Sequence, residues 1–311
     1  MRYFILIILL SITYSSWAQQ DAHYTQFMFN RLYYNPAYAG STGDFCISAI
    51  YRRQWIGIEG APQTATLNVH APVWNRRIGL GLTITNDRIG LTDRWDFETS
   101  YNYKILFKNK STLSIGIRGS AYLMQMRWGD AKPTDMVDSR IPDVAASKLV
   151  PNFGAGLYYQ AKNGYVGIST PHIFRNKLDL NPTTNAGTFG TIEPKFEPHF
   201  YAMGGISFAI SKKVRIQPNL LLKYVVNAPF DMDINVSFVF FDKFLFGVTY
   251  RLGDSVDGML MWKVAPQFKI AFAYDFSISR LQKYNAGSLE VMLEFCMMKK
   301  AEKMHNPRFF F

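Results

Sequence analysis

The sequence predicts an all-β fold, a transmembrane antiparallel β-barrel of about 14 strands with an irregular N-terminal segment packed at or in its lumen. Three observations support this prediction. The chain opens with an export signal, its later segments alternate apolar and polar residues, and no later stretch reaches the length of a membrane helix. Aromatic residues make up 16% of the chain and charged residues 18%. This balance suits a barrel that shows an apolar band to lipid without a continuous apolar run.

Residues 1–18 have the organisation of a signal peptide. Arg2 gives a basic start, residues 4–10 are apolar, and Ser16 and Ala18 place small residues where a signal peptidase reads them. The alternative is an anchoring transmembrane helix, which needs roughly 20 apolar residues, whereas this run ends at Ser11. We therefore expect the mature chain to begin near Gln19 and to be exported to the outer membrane of a Gram-negative cell.

Residues 19–43 precede the predicted barrel, which covers residues 44–297. Phe27, Phe29 and Tyr33 are among several rings that make this stretch too apolar for a solvated tail, and Asn35-Pro36 interrupts any long regular element. We expect residues 21–40 to form no barrel strand and to bury their rings at the barrel mouth or inside the lumen, as a plug.

Period-two alternation runs through most of the remaining chain. Between Met232 and Phe240, for example, the apolar residues alternate with Asp233, Asn235 and Ser237. A soluble sandwich alternates too, but segments of about ten residues that end in aromatic rings are typical of membrane barrels. The fourteen predicted segments, an even number as in bacterial single-chain barrels, are residues 44–52, 62–71, 77–86, 94–106, 111–127, 151–161, 164–170, 197–209, 213–226, 230–240, 243–251, 256–264, 267–276 and 287–297.

The connections between these segments alternate in length. Every second one is short, and the two longest, residues 129–150 and 171–196, both belong to the other set. Outer-membrane barrels have short periplasmic turns and longer external loops. We therefore expect the N terminus, the short turns and a C-terminal tail of residues 298–311 to lie in the periplasm.

Composition and motifs favour a protein without catalytic groups. The net charge of +11 could indicate a nucleic-acid-binding protein, but export makes nucleic acid an unsuitable partner and favours outer-membrane lipids or envelope proteins. The histidines are scattered without metal-ligand spacing, so we predict no metal, no cofactor and no enzymatic activity. Glycine pairs at residues 79–81 and 154–156 lie inside strands, which indicates small inward residues and not phosphate loops.

Two pairs of carboxylates could in principle support acid and base catalysis. Asp96 and Glu98 share one strand face, as do Glu290 and Glu294. The stronger interpretation is that these carboxylates face the lumen and pair with basic side chains there. The candidate partners are Lys104, Arg118, Arg215, Lys223, Lys263 and Lys269.

The order of several motifs resembles the type IX secretion system membrane proteins of the PorP/SprF family, found in the Bacteroidetes. The similarity spans the mature chain, and its motifs are turn-rich strings that gain specificity from their order. One departure is Leu289, where the family is expected to carry His. The motifs are QQDAHYTQFMFNRLYYNPAYAG at 19–40, RRQWIGIEGAPQT at 52–64, GLGLTITNDRIG at 79–90, PNFGAGLYY at 151–159, YVGISTPHIF at 165–174, KYVVNAPF at 223–230, AYDFSISRLQKYNAGS at 273–288 and NPRFF at 306–310.

The resemblance implies a role in protein secretion and gliding motility. It implies support for the secretion or surface attachment of adhesins that bear a C-terminal sorting domain, and contact with the periplasmic ring and lipoprotein subunits of the machinery. A general porin or small-solute transporter is the alternative, and a barrel enzyme acting on lipid is a more distant one.

Two cysteines define a possible covalent link across the barrel. Closure places the first and last strands side by side, and alternation turns both Cys46 and Cys296 inward. A disulfide could form there in an oxidising compartment. Two buried free thiols are the alternative, because bridges between neighbouring strands need demanding geometry.

Positive charge is concentrated on the predicted periplasmic side. The short turns hold Arg76, Arg77, Lys108, Lys110, Lys162, Lys212, Lys213 and Lys243, and the tail holds Lys299, Lys300, Lys303, Arg308, Phe309 and Phe310. Attraction to anionic phospholipid, on the order of 1 kcal/mol per basic residue, explains part of this. A basic and aromatic tail also suits a protein interface, so we predict that this face docks a periplasmic partner. The alternative for the tail is a signal read during barrel insertion.

Overall fold

A computed structural model describes the barrel and the segment that precedes it. The described residues are 21–74, 76–127, 130, 146–175, 183–184, 187–188, 197–226 and 228–297. The predicted signal peptide, residues 1–18, and the predicted tail, residues 298–311, lie outside them. No helix in the described residues is long and apolar enough to span a bilayer.

Fourteen antiparallel strands form the barrel. The eighth strand is interrupted at Ser207 and continues in the same register as Phe208–Ala209. Two further two-residue strands, Thr183–Thr184 and Gly187–Thr188, pair with each other. The barrel strands are β1 Phe45–Arg53, β2 Gln63–Val73, β3 Ile78–Ile89, β4 Thr92–Leu106, β5 Thr112–Met126, β6 Ala146–Gln160, β7 Gly164–Thr170, β8 His199–Ile206, β9 Val214–Val225, β10 Asp231–Phe240, β11 Phe244–Arg251, β12 Ser255–Ala265, β13 Phe268–Ser277 and β14 Ser288–Met297.

The sheet closes on itself. Each strand pairs with its neighbours in sequence, and β1 pairs with β14 along its whole length, from Phe45 opposite Met297 to Arg53 opposite Leu289. Closure leaves no free sheet edge, which is the condition for strands to cross a bilayer. The predicted antiparallel all-β barrel and its number of strands are confirmed.

The disulfide lies on this seam. Cys46 and Cys296 face each other directly in the β1–β14 register. Their sulfur atoms are bonded, and the bridge joins residues separated by 250 positions in sequence. The first and last strands of the barrel are therefore linked covalently near the end where both chain termini of the barrel lie.

The two faces of the barrel wall differ in polarity, as the alternation predicts. The outer face shows large apolar side chains, such as Leu260, which is 60% exposed, whereas the inner face buries polar ones, such as Asn102 and Asp233, at 0%. Exposed aromatic rings surround both ends of the wall, as in membrane barrels. At one end these are Phe45, Trp74, Phe107, Phe208, Phe241, Phe244, Trp262 and Phe295, and at the other Tyr51, Trp95, Phe97, Phe153, Tyr224, Tyr250 and Phe276.

Connections of different length occupy the two ends. The short-turn end consists of residues 74–77, 107–111, 161–163, 210–213, 241–243 and 266–267, and the long-loop end includes the connections 127–145 and 171–198. The prediction that residues 87–93 form a loop is wrong. Strands β3 and β4 continue to a two-residue turn, because Asp87 accepts a hydrogen bond from Thr64 (2.7 Å) and Arg88 pairs with Asp93 (2.9 Å). Polar cross-strand pairs thus extend the sheet past its apolar band.

Candidate functional site: the barrel interior and its short-turn rim

Residues 21–44, here called the N-terminal segment, contain only short helical turns. An α-helical turn spans Arg31–Tyr34, and a 3-10 turn spans Pro36–Tyr38. The side chains of Tyr24 and Phe27 are completely buried. The segment makes no strand in the barrel sheet. It hydrogen-bonds to buried side chains of barrel strands, such as Asp275 and Glu290.

One side of the interior is built from glycines, here called the glycine wall. A Cβ atom on Gly79 would lie 1.9 Å from the carbonyl oxygen of Ala39, and one on Gly116 would lie 2.4 Å from the amide nitrogen of Ala37. Only glycine allows this close approach of two backbones. The prediction that the glycines are small inward residues is confirmed. The glycine wall comprises Gly79, Gly81, Gly116, Gly156 and Gly167, on strands β3, β5, β6 and β7, whereas Gly154 on β6 packs against the backbone of Pro171.

Side chains between these glycines bind the main chain of the segment. The Asn102 amide donates hydrogen bonds to the carbonyl oxygens of Ala37 (3.0 Å) and Ala39 (2.7 Å). The Arg118 guanidinium donates to the carbonyl of Tyr33 (2.8 Å) and also to that of Leu32. These donors satisfy the carbonyls that a short helical turn leaves without partners.

The opposite side of the interior carries an ion-pair network, here called the charged wall. Arg52 on β1 pairs with Asp275 (2.6 Å) and Glu290 (3.1 Å). The N-terminal segment joins this network, since the Thr25 hydroxyl donates to Asp275 (2.6 Å) and Glu290 accepts from the backbone amides of Thr25 (2.9 Å) and Gln26 (3.0 Å). All these groups are buried, so each charge depends on these partners.

The charged wall continues onto β9 to β11. Asp233, with a completely buried side chain, pairs with Lys223 (2.9 Å) and Arg251 (3.1 Å). The ring of His23 lies 3.4 Å from the Lys223 amine. Burial, and then the positive charge of Lys223, hold the pKa of His23 well below its usual value.

Aromatic rings of the N-terminal segment pack against one another. Tyr24, Tyr33 and Tyr34 pack edge to face, with ring centroids 4.9 to 6.4 Å apart. The Arg31 guanidinium lies 4.1 Å from the centroid of the Tyr165 ring and donates a hydrogen bond to the Tyr158 hydroxyl (3.2 Å). This is a cation–π contact in a desolvated setting.

The predicted pairing of lumen carboxylates with basic groups is confirmed, although with partly different partners. Arg118 and Lys269 were among the expected cations, whereas Arg52 and Arg94 were not. Two other expected cations have other roles, because Lys104 donates to the Gly40 carbonyl and Arg215 pairs with Asp242 (2.7 Å). The observed pairs are Asp96–Arg94 (3.1 Å), Glu98–Arg118 (3.1 Å), Glu290–Arg52 (3.1 Å) and Glu294–Lys269 (2.5 Å).

Near the long-loop end, two histidines meet the start of the N-terminal segment. The Nε2 atoms of His172 and His199 lie 2.8 and 3.9 Å from Oδ2 of Asp21. Burial alone would raise the pKa of the Asp21 carboxyl, but His172, His199 and Arg94 outweigh it and hold that pKa well below its usual value. Sequence spacing did not reveal this cluster, because three separate parts of the chain contribute to it.

The short-turn end carries an exposed ring of positive charge, here called the basic rim. All eight of its cations in the described residues are exposed. The acidic residue of these turns, Asp242, is already paired with Arg215. The basic rim comprises Arg76, Arg77, Lys108, Lys110, Lys162, Lys212, Lys213 and Lys243. The tail residues predicted to extend this face, Lys299, Lys300, Lys303, Arg308, Phe309 and Phe310, lie outside the described residues.

Comparison with solved structures finds outer-membrane barrels at low sequence identity. The CymD monoaromatic hydrocarbon channel has a TM-score of 0.49 and 12% identity, with coverage of 89% of this chain and 94% of that one. The KdgM porin has a TM-score of 0.42 and 13% identity, with coverage of 81% and 99%. The outer membrane protein Omp33 of Acinetobacter baumannii has a TM-score of 0.44 and 8% identity, with coverage of 82% and 98%. No curated protein matches significantly.

The profile of one protein family matches almost the whole sequence. The sequence profile of the type IX secretion system membrane protein PorP/SprF matches residues 16–295. This range contains the N-terminal segment and the barrel as far as Phe295 in β14. The closed barrel with an apolar outer face agrees with an outer-membrane location. The chain therefore belongs to the PorP/SprF family of type IX secretion system membrane proteins and is an outer-membrane component of that machinery.

Proposed function

We propose that this barrel is a plugged, non-conducting scaffold of the type IX secretion machinery that docks a periplasmic ring or lipoprotein subunit through its basic rim. The observation that carries the docking proposal is the basic rim itself, an array of eight exposed cations in the short turns at one end of the barrel. In this proposal the short-turn end faces the periplasm. The long-loop end then faces the cell surface, where an adhesin with a C-terminal sorting domain is secreted or attached.

The plug is the N-terminal segment. Its backbone fits the glycine wall, and its Thr25 and Gln26 bind the charged wall on the other side. A segment that contacts both walls lies across the lumen. This arrangement supports a scaffold role over the alternative of a general porin or small-solute transporter, because a porin needs an open aqueous channel.

The basic rim suits an acidic protein surface. Exposed cations at a rim change the rate and orientation of association more than the final affinity, and their effect falls with ionic strength because the Debye length is about 8 Å in physiological salt. Anionic phospholipid headgroups compete for the same cations. To compete with lipid, the docking partner must therefore contact the cations of several turns at once. Copurification of this partner should weaken as the salt concentration rises.

Charge reversal at the rim tests the docking proposal. The rim variant combines Lys108→Glu, Lys110→Glu, Lys212→Glu and Lys213→Glu. A matched control reverses three exposed cations of the long-loop end, Arg53→Glu, Arg280→Glu and Lys283→Glu. Each tagged protein is purified from native membranes, and copurifying proteins are identified by mass spectrometry.

We expect the rim variant to lose periplasmic partners and surface adhesin while its barrel stays heat-modifiable. The long-loop control should keep its periplasmic partners. Equal recovery of the same periplasmic proteins with wild type and rim variant would contradict docking at this face. Loss of the folded barrel in the rim variant alone would indicate that the cations serve membrane insertion.

A further inference from the structure

A buried cluster at the long-loop end has the composition of a metal site. Asp21 comes from the N-terminal segment, His172 from the connection after β7, and His199 from the first residue of β8. All three residues are buried, and their ligand atoms lie within 4.8 Å of one another. We propose that Asp21, His172 and His199 bind a transition-metal dication of the zinc class, which fastens the N-terminal segment to the barrel wall.

The spacing of the ligand atoms suits tetrahedral coordination. Bonds of about 2.1 Å to a tetrahedral centre place the ligand atoms roughly 3.4 Å apart. The distances from Oδ2 of Asp21 to Nε2 of His172, 2.8 Å, and to Nε2 of His199, 3.9 Å, lie on either side of that value. Small side-chain rotations therefore bring three ligands around one ion, and the fourth position is left for water or a further ligand.

The outer contacts of both histidines orient their Nε2 atoms toward Asp21. His199 Nδ1 lies 2.8 Å from the carbonyl oxygen of Glu197, which can only accept, so this nitrogen carries the proton. Nε2 carries the lone pair, which accepts a hydrogen bond from the Asp21 backbone amide (3.3 Å), and a metal ion would take the place of that donor. A ligating histidine that donates its other ring N–H to a carbonyl is the usual arrangement around protein-bound metals.

Tyr122 provides a similar contact for His172. Its hydroxyl lies 2.7 Å from His172 Nδ1 and 3.1 Å from Oε1 of Glu98. When the single hydroxyl proton is donated to the Glu98 carboxylate, His172 Nδ1 must donate to the hydroxyl. Nε2 of His172 is then directed at Oδ2 of Asp21, 2.8 Å away, and a bound dication would take the place of the proton in this hydrogen bond.

Charges around the cluster are compatible with a bound dication. The Arg94 guanidinium lies 3.6 Å from Oδ1 of Asp21, but it also pairs with Asp96 (3.1 Å). The Tyr201 hydroxyl contacts Oδ2 of Asp21 at 3.4 Å. Two imidazole ligands select zinc-like ions, whereas calcium and magnesium prefer sites made only of oxygen. This proposal does not depend on docking at the basic rim.

Metal binding by the purified barrel tests the site. The protein is stripped with a chelator, loaded with Zn²⁺ and desalted, and bound zinc is measured by elemental mass spectrometry. The variants are Asp21→Asn, His172→Ala and His199→Ala, and His70→Ala is the matched control, because His70 is buried on the inner face but lies outside the cluster. Wild type and His70→Ala should each retain one zinc ion, whereas each cluster variant should lose at least tenfold in affinity.

X-ray absorption of the zinc-loaded wild type keeps the test independent of variant folding. We expect two imidazole ligands and one carboxylate at the ion, and no comparable retention of Mg²⁺ or Ca²⁺. Failure of the wild type to retain zinc would overturn the proposal and leave the cluster as an Asp21–His172 ion pair. Equal zinc retention by wild type and the His172→Ala and His199→Ala variants, or a coordination shell without imidazole, would also overturn it.

Discussion

The two walls of the barrel interior hold the same N-terminal segment by different means. The glycine wall removes side chains, so that strand backbone and segment backbone come into direct contact. The charged wall does the opposite and fills its space with buried ions such as Arg52, Asp275 and Glu290. The glycine wall therefore recognises the shape of the segment, while the charged wall depends on a balance of charge.

This difference sets what each wall tolerates. A buried ion network fails when one member is removed, because the remaining charges lose their compensation. A close-packed backbone contact fails when an atom is added, and the segment itself must shift to relieve the clash, because the blocking atoms belong to its main chain. Deletion should therefore damage the charged wall most, and addition should damage the glycine wall most.

Removal of Arg52 should have the largest effect. Arg52→Ala leaves Asp275 and Glu290 buried without their main cation, so we expect a loss of about 3–5 kcal/mol in the free energy of unfolding. Chemical denaturation of the refolded barrel measures it. The control is Arg88→Ala, which removes an ion pair whose arginine side chain is 51% exposed and should cost less than about 1 kcal/mol. Similar losses in both variants would contradict the charged-wall account.

Removal of the disulfide between β1 and β14 should have the next largest effect on stability. Cys46→Ser with Cys296→Ser removes a link across 250 residues of sequence, and such links contribute about 2–4 kcal/mol. Denaturation without reductant should show this loss. In the wild type, both thiols should resist alkylation until reductant is added. Two freely alkylated thiols in the unreduced protein would remove the disulfide from the account.

A single added side chain should disturb the glycine wall by a smaller amount. Gly79→Val places atoms against the Ala39 carbonyl, and overpacking of this kind costs about 1–3 kcal/mol. The matched control is Gly258→Val on β12, where a Cβ atom meets nothing within 4 Å. Gly79→Val should also increase protease cleavage of the N-terminal segment, whereas Gly258→Val should not. Equal effects of the two substitutions would show that the contact with Ala39 does not hold the segment.

The sequence predicts the barrel more completely than its interior. Period two is a local property, so alternation along β10 or β13 reveals the strand and its two faces, and the even number of strands agrees with a bacterial barrel. The cations of the short turns can also be predicted from local sequence, because each basic residue lies within its own turn. Interior partners are set by closure and register, which no local pattern records.

The charged wall and the histidine cluster illustrate this limit. Arg52 and Glu290 are opposite each other only because β1 and β14 meet at the seam. His172 and His199 lie at the two ends of a long connection, and Asp21 precedes His172 by 151 residues. The glycines lie between these two cases in predictability. Their inward position can be predicted from alternation, but the identity of the segment that packs against them cannot.

Conductance in planar bilayers tests the plugged scaffold most directly. The mature protein is compared with a variant that lacks residues 21–40, and heat-modifiable migration confirms that both barrels are folded. We predict that the intact protein conducts little and that the deletion opens a large, steady channel, because the segment contacts both walls of the lumen. Porin-like conductance by the intact protein, unchanged by the deletion, would contradict the plug and the scaffold role built on it.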